Sequence, residues 1–285
     1  MSRIAFVNGR YVPHRDARVH VEDRGYQFAD AVYEVCEVRA GHLVDARRHL
    51  DRLDRSMGEL RMVGLMSRPA LLAVLKEVVH RNGVRDGLVY IQVSRGVARR
   101  DHVFPAPGTP LGVVVTARRA DLAAQDRTAA AGVRVICVPE NRWPRVDIKT
   151  VGLLPNVLAK QQAKERGARE AWFVDADGLV TEGASTNAWI VTADGHIRTR
   201  PAEEGILKGI TRTVVLEVAR DLGLSLDERP FSPAEAYAAR EAFITAATTL
   251  VMPVIAIDDH VIGDGRPGPV ALALRQRFHA FAELG

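Results

Sequence analysis

Lys149 stands in Asp147-Ile-Lys-Thr-Val-Gly-Leu-Leu-Pro-Asn156, between an apolar run marked by Val133, Val135 and Val138 and the start of a helical pattern. A lysine so placed either ends in solvent or points into an enclosed pocket. Enclosed, desolvation favours the neutral amine, which attacks an aldehyde and forms a Schiff base. An aldehyde carried on a phosphorylated pyridine ring would need three further parts. These are a partner for the ring nitrogen, a phosphate cup and a trap for the substrate carboxylate.

Each part has a candidate. Glu182 lies in Leu179-Val-Thr-Glu-Gly-Ala-Ser-Thr-Asn187, after a strand pattern and before a turn of small residues. From a strand end its carboxylate could ion-pair with a protonated pyridine nitrogen and keep the ring electron-withdrawing. Gly209-Ile210-Thr211 opens a helix, and free N–H groups at a helix start bind phosphate. The turn Thr245-Ala-Ala-Thr-Thr249 could present more N–H groups, and Arg52 offers a planar fork to phosphate oxygens. The segment Arg95-Gly-Val-Ala-Arg-Arg-Asp-His102 could hold a carboxylate, and Tyr33 could turn its hydroxyl toward the same pocket. Taken singly, each residue reads more readily as a solvated charge, a helix cap or a packed strand tyrosine.

The elements that must position these residues follow from pattern. Asn8-Gly9 between 4–7 and 11–12 is a type I′ hairpin signal. Strands are expected over 31–39, 88–94 and 111–117, with helices over 46–60 and 69–80; in the first helix Leu50, Leu53, Met57 and Leu60 recur at steps of three and four. The stretch 118–132, rich in Ala, Arg and Asp, reads as a connector. Beyond it come a strand over 133–138, a helix from 153, a hairpin turning at Asp177-Gly178 and a strand over 187–191. A turn at Asp194-Gly195, a helix over 211–222 and a short helix over 233–240 follow, then strands over 242–245 and 254–257 and a helix over 269–284. The result is an α+β protein of two domains, 1–118 and 133–285, joined by 119–132, with Lys149 in the second.

Composition sets limits. The 285 residues are 47% hydrophobic and 26% charged, ordinary for a globular protein, with a formal charge of +4. No basic run with interleaved aromatics supports nucleic-acid binding, and no stretch approaches a membrane span. Cys36 and Cys137 sit in apolar strand patterns and read as thiols of a cytoplasmic protein rather than a disulfide.

Several motifs in order make the chain resemble the fold-type IV, branched-chain-type family of pyridoxal-phosphate enzymes, and within it the D-amino acid transaminases. They are Asp23-Arg-Gly-Tyr-Gln-Phe-Ala-Asp-Ala-Val-Tyr-Glu-Val35, His49-Leu-Asp-Arg-Leu53, Arg95-Gly-x-x-x-Arg-x-His102, Asp147-Ile-Lys-Thr150, Leu153-Leu-Pro-Asn-Val-Leu-Ala-Lys160, Thr181-Glu-Gly183, Gly209-Ile-Thr-Arg212 and Phe243-Ile-Thr245. The resemblance implies a smaller N-terminal domain, a larger barrel-like C-terminal α/β domain and a site at the domain interface. It makes Lys149 the Schiff-base lysine and Glu182 the pyridine-nitrogen partner. Arg52, Ile210 and Thr211 would hold the phosphate, and Leu207 would pack against the ring. The α-carboxylate would go to Tyr33 with Arg100 and His102, the latter two lent by the second subunit of a homodimer.

Two departures stand out. Ala247 occupies a phosphate-turn position where the family usually has a hydroxyl, so Thr248 or Thr245 would substitute. Leu250 and Met252 replace polar residues just downstream, which predicts a more apolar substrate-side loop. The implied activity is ping-pong transfer of an amino group between a D-amino acid and a 2-oxo acid such as 2-oxoglutarate or pyruvate. Rivals on the same fold are a branched-chain L-transaminase, an (R)-amine transaminase and aminodeoxychorismate lyase; a rival of another class is a non-catalytic binding module.

Overall fold

The computed structural model describes residues 3–285. Its contacts divide the chain into two units. The first takes the residues through Asp121 together with Ile148–Gly152 and Glu283–Gly285, and the second takes Leu122–Asp147 and Leu153–Ala282.

In the first unit the elements are β1 (Ile4–Val7), β2 (Arg10–Pro13), α1 (Arg24–Phe28), β3 (Ala31–Arg39), β4 (His42–Leu43), α2 (Ala46–Glu59), α3 (Arg68–Arg81), β5 (Gly87–Ser94) and β6 (Gly112–Arg119). The strands form one antiparallel sheet in the order β2-β1-β6-β5-β3-β4. Asn8 and Gly9 turn the first hairpin with φ of 45° and 89°, the left-handed pair that Asn-Gly supplies at little steric cost. The apolar stripe of α2 (Leu50, Leu53, Met57) and that of α3 (Leu71, Leu75, Val78) pack with Val32, Cys36, Val89 and Ile91 of the sheet.

The second unit runs α4 (Leu122–Ala131), β7 (Val133–Pro139), α5 (Leu154–Glu165), β8 (Glu170–Val174), β9 (Val180–Gly183), β10 (Asn187–Val191), β11 (Ile197–Thr199), α6 (Ile210–Asp221), β12 (Leu226–Glu228), α7 (Pro233–Tyr237), β13 (Glu241–Ala246), β14 (Leu250–Ile257), β15 (His260–Val261) and α8 (Pro269–Phe281). Its nine-stranded sheet is ordered β12-β11-β10-β13-β14-β7-β8-β9, with β15 added on β14. The pairs β11–β12, β14–β7 and β7–β8 are parallel and the others antiparallel. Period-two alternation splits the core. Trp189, Val191 and Phe243 face Val214, Val218, Leu274 and Phe278 of α6 and α8, while Ala188, Ile190 and Ile244 face the other way. On that other face Trp172, Val135, Val180, Met252 and Val254 join them, so side chains of well-separated strands fill one another's space and the sheet curls.

Two expectations about domains differ from what is observed. Most of the connector stretch, from Leu122 on, carries α4 and groups with the second unit, while 119–121 group with the first. Lys149 groups with the first unit, because its stretch pairs with the edge of β3. The Tyr33 N–H donates to the Lys149 carbonyl at 3.0 Å and the Val151 N–H to the Ala31 carbonyl at 3.1 Å. Among the described residues no helix is long and apolar enough to cross a membrane.

Candidate active site

The sequence candidates fall into two sets, one in each unit. In the first, β3 exposes and buries its residues alternately. Tyr33 and Val35 are half-buried, while Val32, Glu34 and Cys36 are buried. Lys149, half-buried, runs alongside, and its Nζ lies 4.4 Å from the centroid of the Tyr33 ring. The Lys149 N–H also reaches Ser56 Oγ on α2 at 3.4 Å, so two elements fix the lysine backbone.

Arg52 comes from the same helix face as Ser56, one turn earlier. Its Nε and Nη2 donate to the two carboxylate oxygens of Glu34 at 2.7 and 2.8 Å. His49 Nδ1 lies 2.7 Å from Glu34 Oε2. Burial pushes the Glu34 carboxyl up, but the Arg52 charge and the hydrogen bonds from Arg52 and His49 outweigh it and bring it down to about 2. The reciprocal attraction overcomes desolvation at Arg52 and holds its guanidinium above its ordinary range. Glu34 and His49 were not among the sequence candidates. A signal existed: a glutamate between Val32 and Cys36 on the apolar face of a strand requires a buried cation, and His49 and Arg52 lie three apart on one helix.

Arg100 and His102 are exposed on the loop after β5, and both lie against Phe28. The Arg100 guanidinium stands 5.0 Å from the ring centroid and the His102 ring 5.4 Å.

In the second unit Glu182 ends β9, 5% exposed. Arg142 Nη1 donates to its Oε1 at 2.7 Å, Asn187 Nδ2 to its Oε2 at 3.1 Å, and the Leu207 N–H to both oxygens at 3.2 Å. Arg142 is itself gripped by Glu140 at 2.9 and 2.6 Å and lies over the Phe173 ring at 4.4 Å. An arginine, one amide N–H and a backbone N–H thus donate to this single carboxylate, a donor set matched to a charged acceptor. No periodicity in an irregular loop singles out Arg142, and Asn187, which opens β10, reaches Glu182 only through the fold.

Asn187 also donates to the Leu207 carbonyl at 3.0 Å, tying the start of β10 to the segment that leads into α6. That helix begins at Gly209 without a side-chain cap, and no acidic residue occupies its first turn, where Ile210 and Thr211 lie. Gly209 leaves room for the Asn187 amide, because a Cβ would stand 2.1 Å from Asn187 Oδ1. The register pairs Asn187 with Thr245, which brings the turn after β13 beside the same loop. Ala247 and Thr248 sit in that turn, closed by the Thr249 N–H donating to the Ala246 carbonyl at 3.1 Å. Thr245 is 1% exposed and accepts the Trp189 indole N–H at 2.9 Å, so its hydroxyl faces the core. Leu250 and Met252, expected on a substrate-side loop, are 8% and 0% exposed and belong to the two core clusters of the curled sheet.

Residues 31–257 match the family model described as amino-transferase class IV. The chain is 41% identical over 263 residues to the D-alanine aminotransferase of Bacillus licheniformis, covering 92% of this chain and 91% of that protein. The family is thereby decided. This chain is a class IV aminotransferase.

A second relative, the D-alanine aminotransferase of Listeria innocua serovar 6a, is 38% identical over 95% of this chain and 93% of its own length. Among solved structures, the branched-chain amino acid aminotransferase of Escherichia coli superposes with a TM-score of 0.90 at 25% identity, covering 98% of this chain and 94% of that one. The T.th. branched-chain enzyme, solved with pyridoxamine 5'-phosphate, gives a TM-score of 0.89 at 29% identity, covering 99% and 98%. The two-unit α+β architecture is that of these aminotransferases. The residues present fit a phosphorylated pyridine cofactor. An uncapped twelve-residue helix start suits a phosphate and a buried, donor-ringed carboxylate suits a pyridinium.

Proposed function

We propose that this class IV aminotransferase uses pyridoxal 5'-phosphate to move an amino group between a D-amino acid and a 2-oxo acid, 2-oxoglutarate or pyruvate, by a ping-pong mechanism. The observation that carries the reading is the Arg100–His102 pair presented together on one loop, in a chain that also has Lys149 against Tyr33 and Glu182 inside a ring of donors. Bound pyridoxal phosphate supplies an electron sink that acidifies the substrate Cα–H.

The chain's own residues do the rest. Lys149 would hold the cofactor through its aldehyde, and its Nζ would carry the Cα proton. Glu182, kept anionic by Arg142, Asn187 and the Leu207 N–H, holds the proton on the pyridine nitrogen. Arg52, the N–H groups of Ile210 and Thr211, and the Ala247–Thr248 turn hold the phosphate, and Leu207 packs against the ring. Tyr33, Arg100 and His102 take the α-carboxylate, which fixes the face of Cα presented to Lys149. Arg100 and His102 serve the partner subunit of a homodimer. In support, Leu154, Val157 and Leu158 lie on one face of α5 and are 69, 58 and 59% exposed, an apolar stripe suited to a protein interface. The free thiols Cys36 and Cys137 suit a reducing, cytoplasmic setting.

The second reading, a branched-chain L-transaminase, is favoured by the superposition on the two branched-chain enzymes. Turnover of D-alanine, L-leucine and (R)-1-phenylethylamine, each with 2-oxoglutarate and with the products resolved chirally, separates the readings. The proposal predicts that D-alanine is the preferred donor. Turnover of L-leucine without D-alanine would replace it by the second reading.

A further inference from the structure

Between the two exposed residues of the carboxylate loop lies Asp101, and its carbonyl oxygen is not left to solvent. Arg24, 3% exposed, donates to it from Nη1 at 2.6 Å. The same guanidinium donates from Nε to Asp30 Oδ2 at 2.9 Å and lies over the Phe28 ring at 4.8 Å. Phe28 is the ring against which Arg100 and His102 both stand. Asp30 receives a second cation, Arg95 Nε at 2.7 Å, from the first residue of the loop.

The local sequence explains why these groups meet. Asp23 caps α1 by accepting the Gly25 N–H, and the helix ends after five residues at Ala29, in the left-handed conformation. Arg24 and Phe28 are four apart, so they are neighbours on one side of that single turn. The Arg24 N–H donates to the Gly96 carbonyl at 2.9 Å and the Arg95 N–H to the Asp30 carbonyl at 3.0 Å, which sews both ends of α1 to the base of the loop. A buried arginine whose fork spans a carboxylate and a loop carbonyl fixes a direction, which a point charge cannot do.

We propose that Arg24 and Phe28 are positioning residues for substrate recognition: they set the orientation of the Arg100-Asp101-His102 turn and through it the selectivity for a carboxylate-bearing donor. The inference rests on Arg100 and His102 being the carboxylate trap. Neither Arg24 nor Phe28 touches the reacting atoms. Arg24 holds the peptide between the two trap residues, and Phe28 supplies the aromatic face that keeps a flexible guanidinium and an imidazole in one place.

The test uses purified dimeric holoenzyme with D-alanine and with D-alaninamide, which has the same amine and Cα but no carboxylate charge. Phe28→Leu keeps the bulk and the Arg24–Asp30 pair while removing the ring; Arg24→Lys keeps the charge and removes the fork. Each is expected to raise KM for D-alanine about five- to tenfold, the worth of one or two cation–π or charge-assisted contacts. KM for D-alaninamide should move less than about twofold, kcat should stay near that of the wild type, and Phe28→Tyr should restore KM. Equal losses on both substrates, or an unchanged KM for D-alanine in Phe28→Leu, would overturn the proposal. Arg100→Ala is the control on the underlying reading. If it too leaves KM for D-alanine unchanged, the carboxylate trap itself is misassigned. If it raises KM while Phe28→Leu does not, only the role of the bracket fails.

Discussion

Arg52 is asked to do two things, and the order of their energies decides what its loss would show. Its fork is engaged by Glu34, a carboxylate with no exposure, and removing the arginine leaves that charge buried with His49 as its remaining named partner. Breaking a buried pair from one side costs about 3–5 kcal/mol, whereas replacing both partners is often close to neutral. Arg52→Ala is therefore expected to lower Tm and weaken cofactor binding together. Adding Glu34→Gln should recover much of the Tm without recovering the cofactor, a separation read by thermal melts and cofactor titration. Recovery of both would mean that Arg52 acts only through the fold. Glu182 is held differently: Arg142 and Asn187 fix the carboxylate, and a third residue, Leu207, contributes only its backbone.

At the scale of elements, the start of α6 is where core packing meets the proposed phosphate contact. Gly209→Ala would drive a methyl into Asn187 Oδ1 and stand 3.3 Å from the Arg212 Cβ, so the amide that donates to Glu182 must move. The expected result is a cofactor Kd raised about tenfold, on the order of one lost hydrogen bond to a charged group, with little change in secondary structure. An unchanged Kd measured by fluorescence titration would remove this helix start from the cofactor site. The elements legible in the sequence were those with a strong local pattern: the Asn8-Gly9 hairpin, the stripe of α2, the alternation along β10 and β13. Helix α4 was missed because Leu122–Ala131 has alanine's helix propensity but no apolar stripe; Ala129 is its buried residue. The lysine stretch follows β7 in sequence but pairs with β3, a long-range contact that local pattern does not encode. The first-unit network of Glu34 and His49 was readable in principle; the Arg142 contact, from a loop, was not.

For the whole molecule, buried carboxylates decide how the fold meets acid. Burial pushes Glu34, Asp30 and Glu140 upward, but Arg52 at Glu34, Arg95 and Arg24 at Asp30, and Arg142 at Glu140 outweigh it and leave all three below their ordinary values. A carboxyl lowered in the folded state stabilises fully above its unfolded value and loses that stabilisation as pH falls through its folded value. Burial pushes Asp45 the other way, and it opposes the trend alone among the named groups that are this buried. Tm is thus expected to hold near neutral pH and to fall steeply between about 4.5 and about 2, the span between the ordinary value of Glu34 and its folded one. A Tm that rises as pH drops through that window would contradict the pairing.

The account depends most on the amine of Lys149 taking an aldehyde. Holoenzyme reduced with borohydride, digested and mapped by mass spectrometry tests this directly, with Lys149→Ala carried through the same steps. The expected result is a phosphopyridoxyl group fixed on the peptide containing Lys149, and in the variant no such adduct, no visible cofactor band and turnover lower by at least roughly 10²–10⁴-fold. An adduct on another lysine, or a variant that keeps its colour and its turnover, would contradict it.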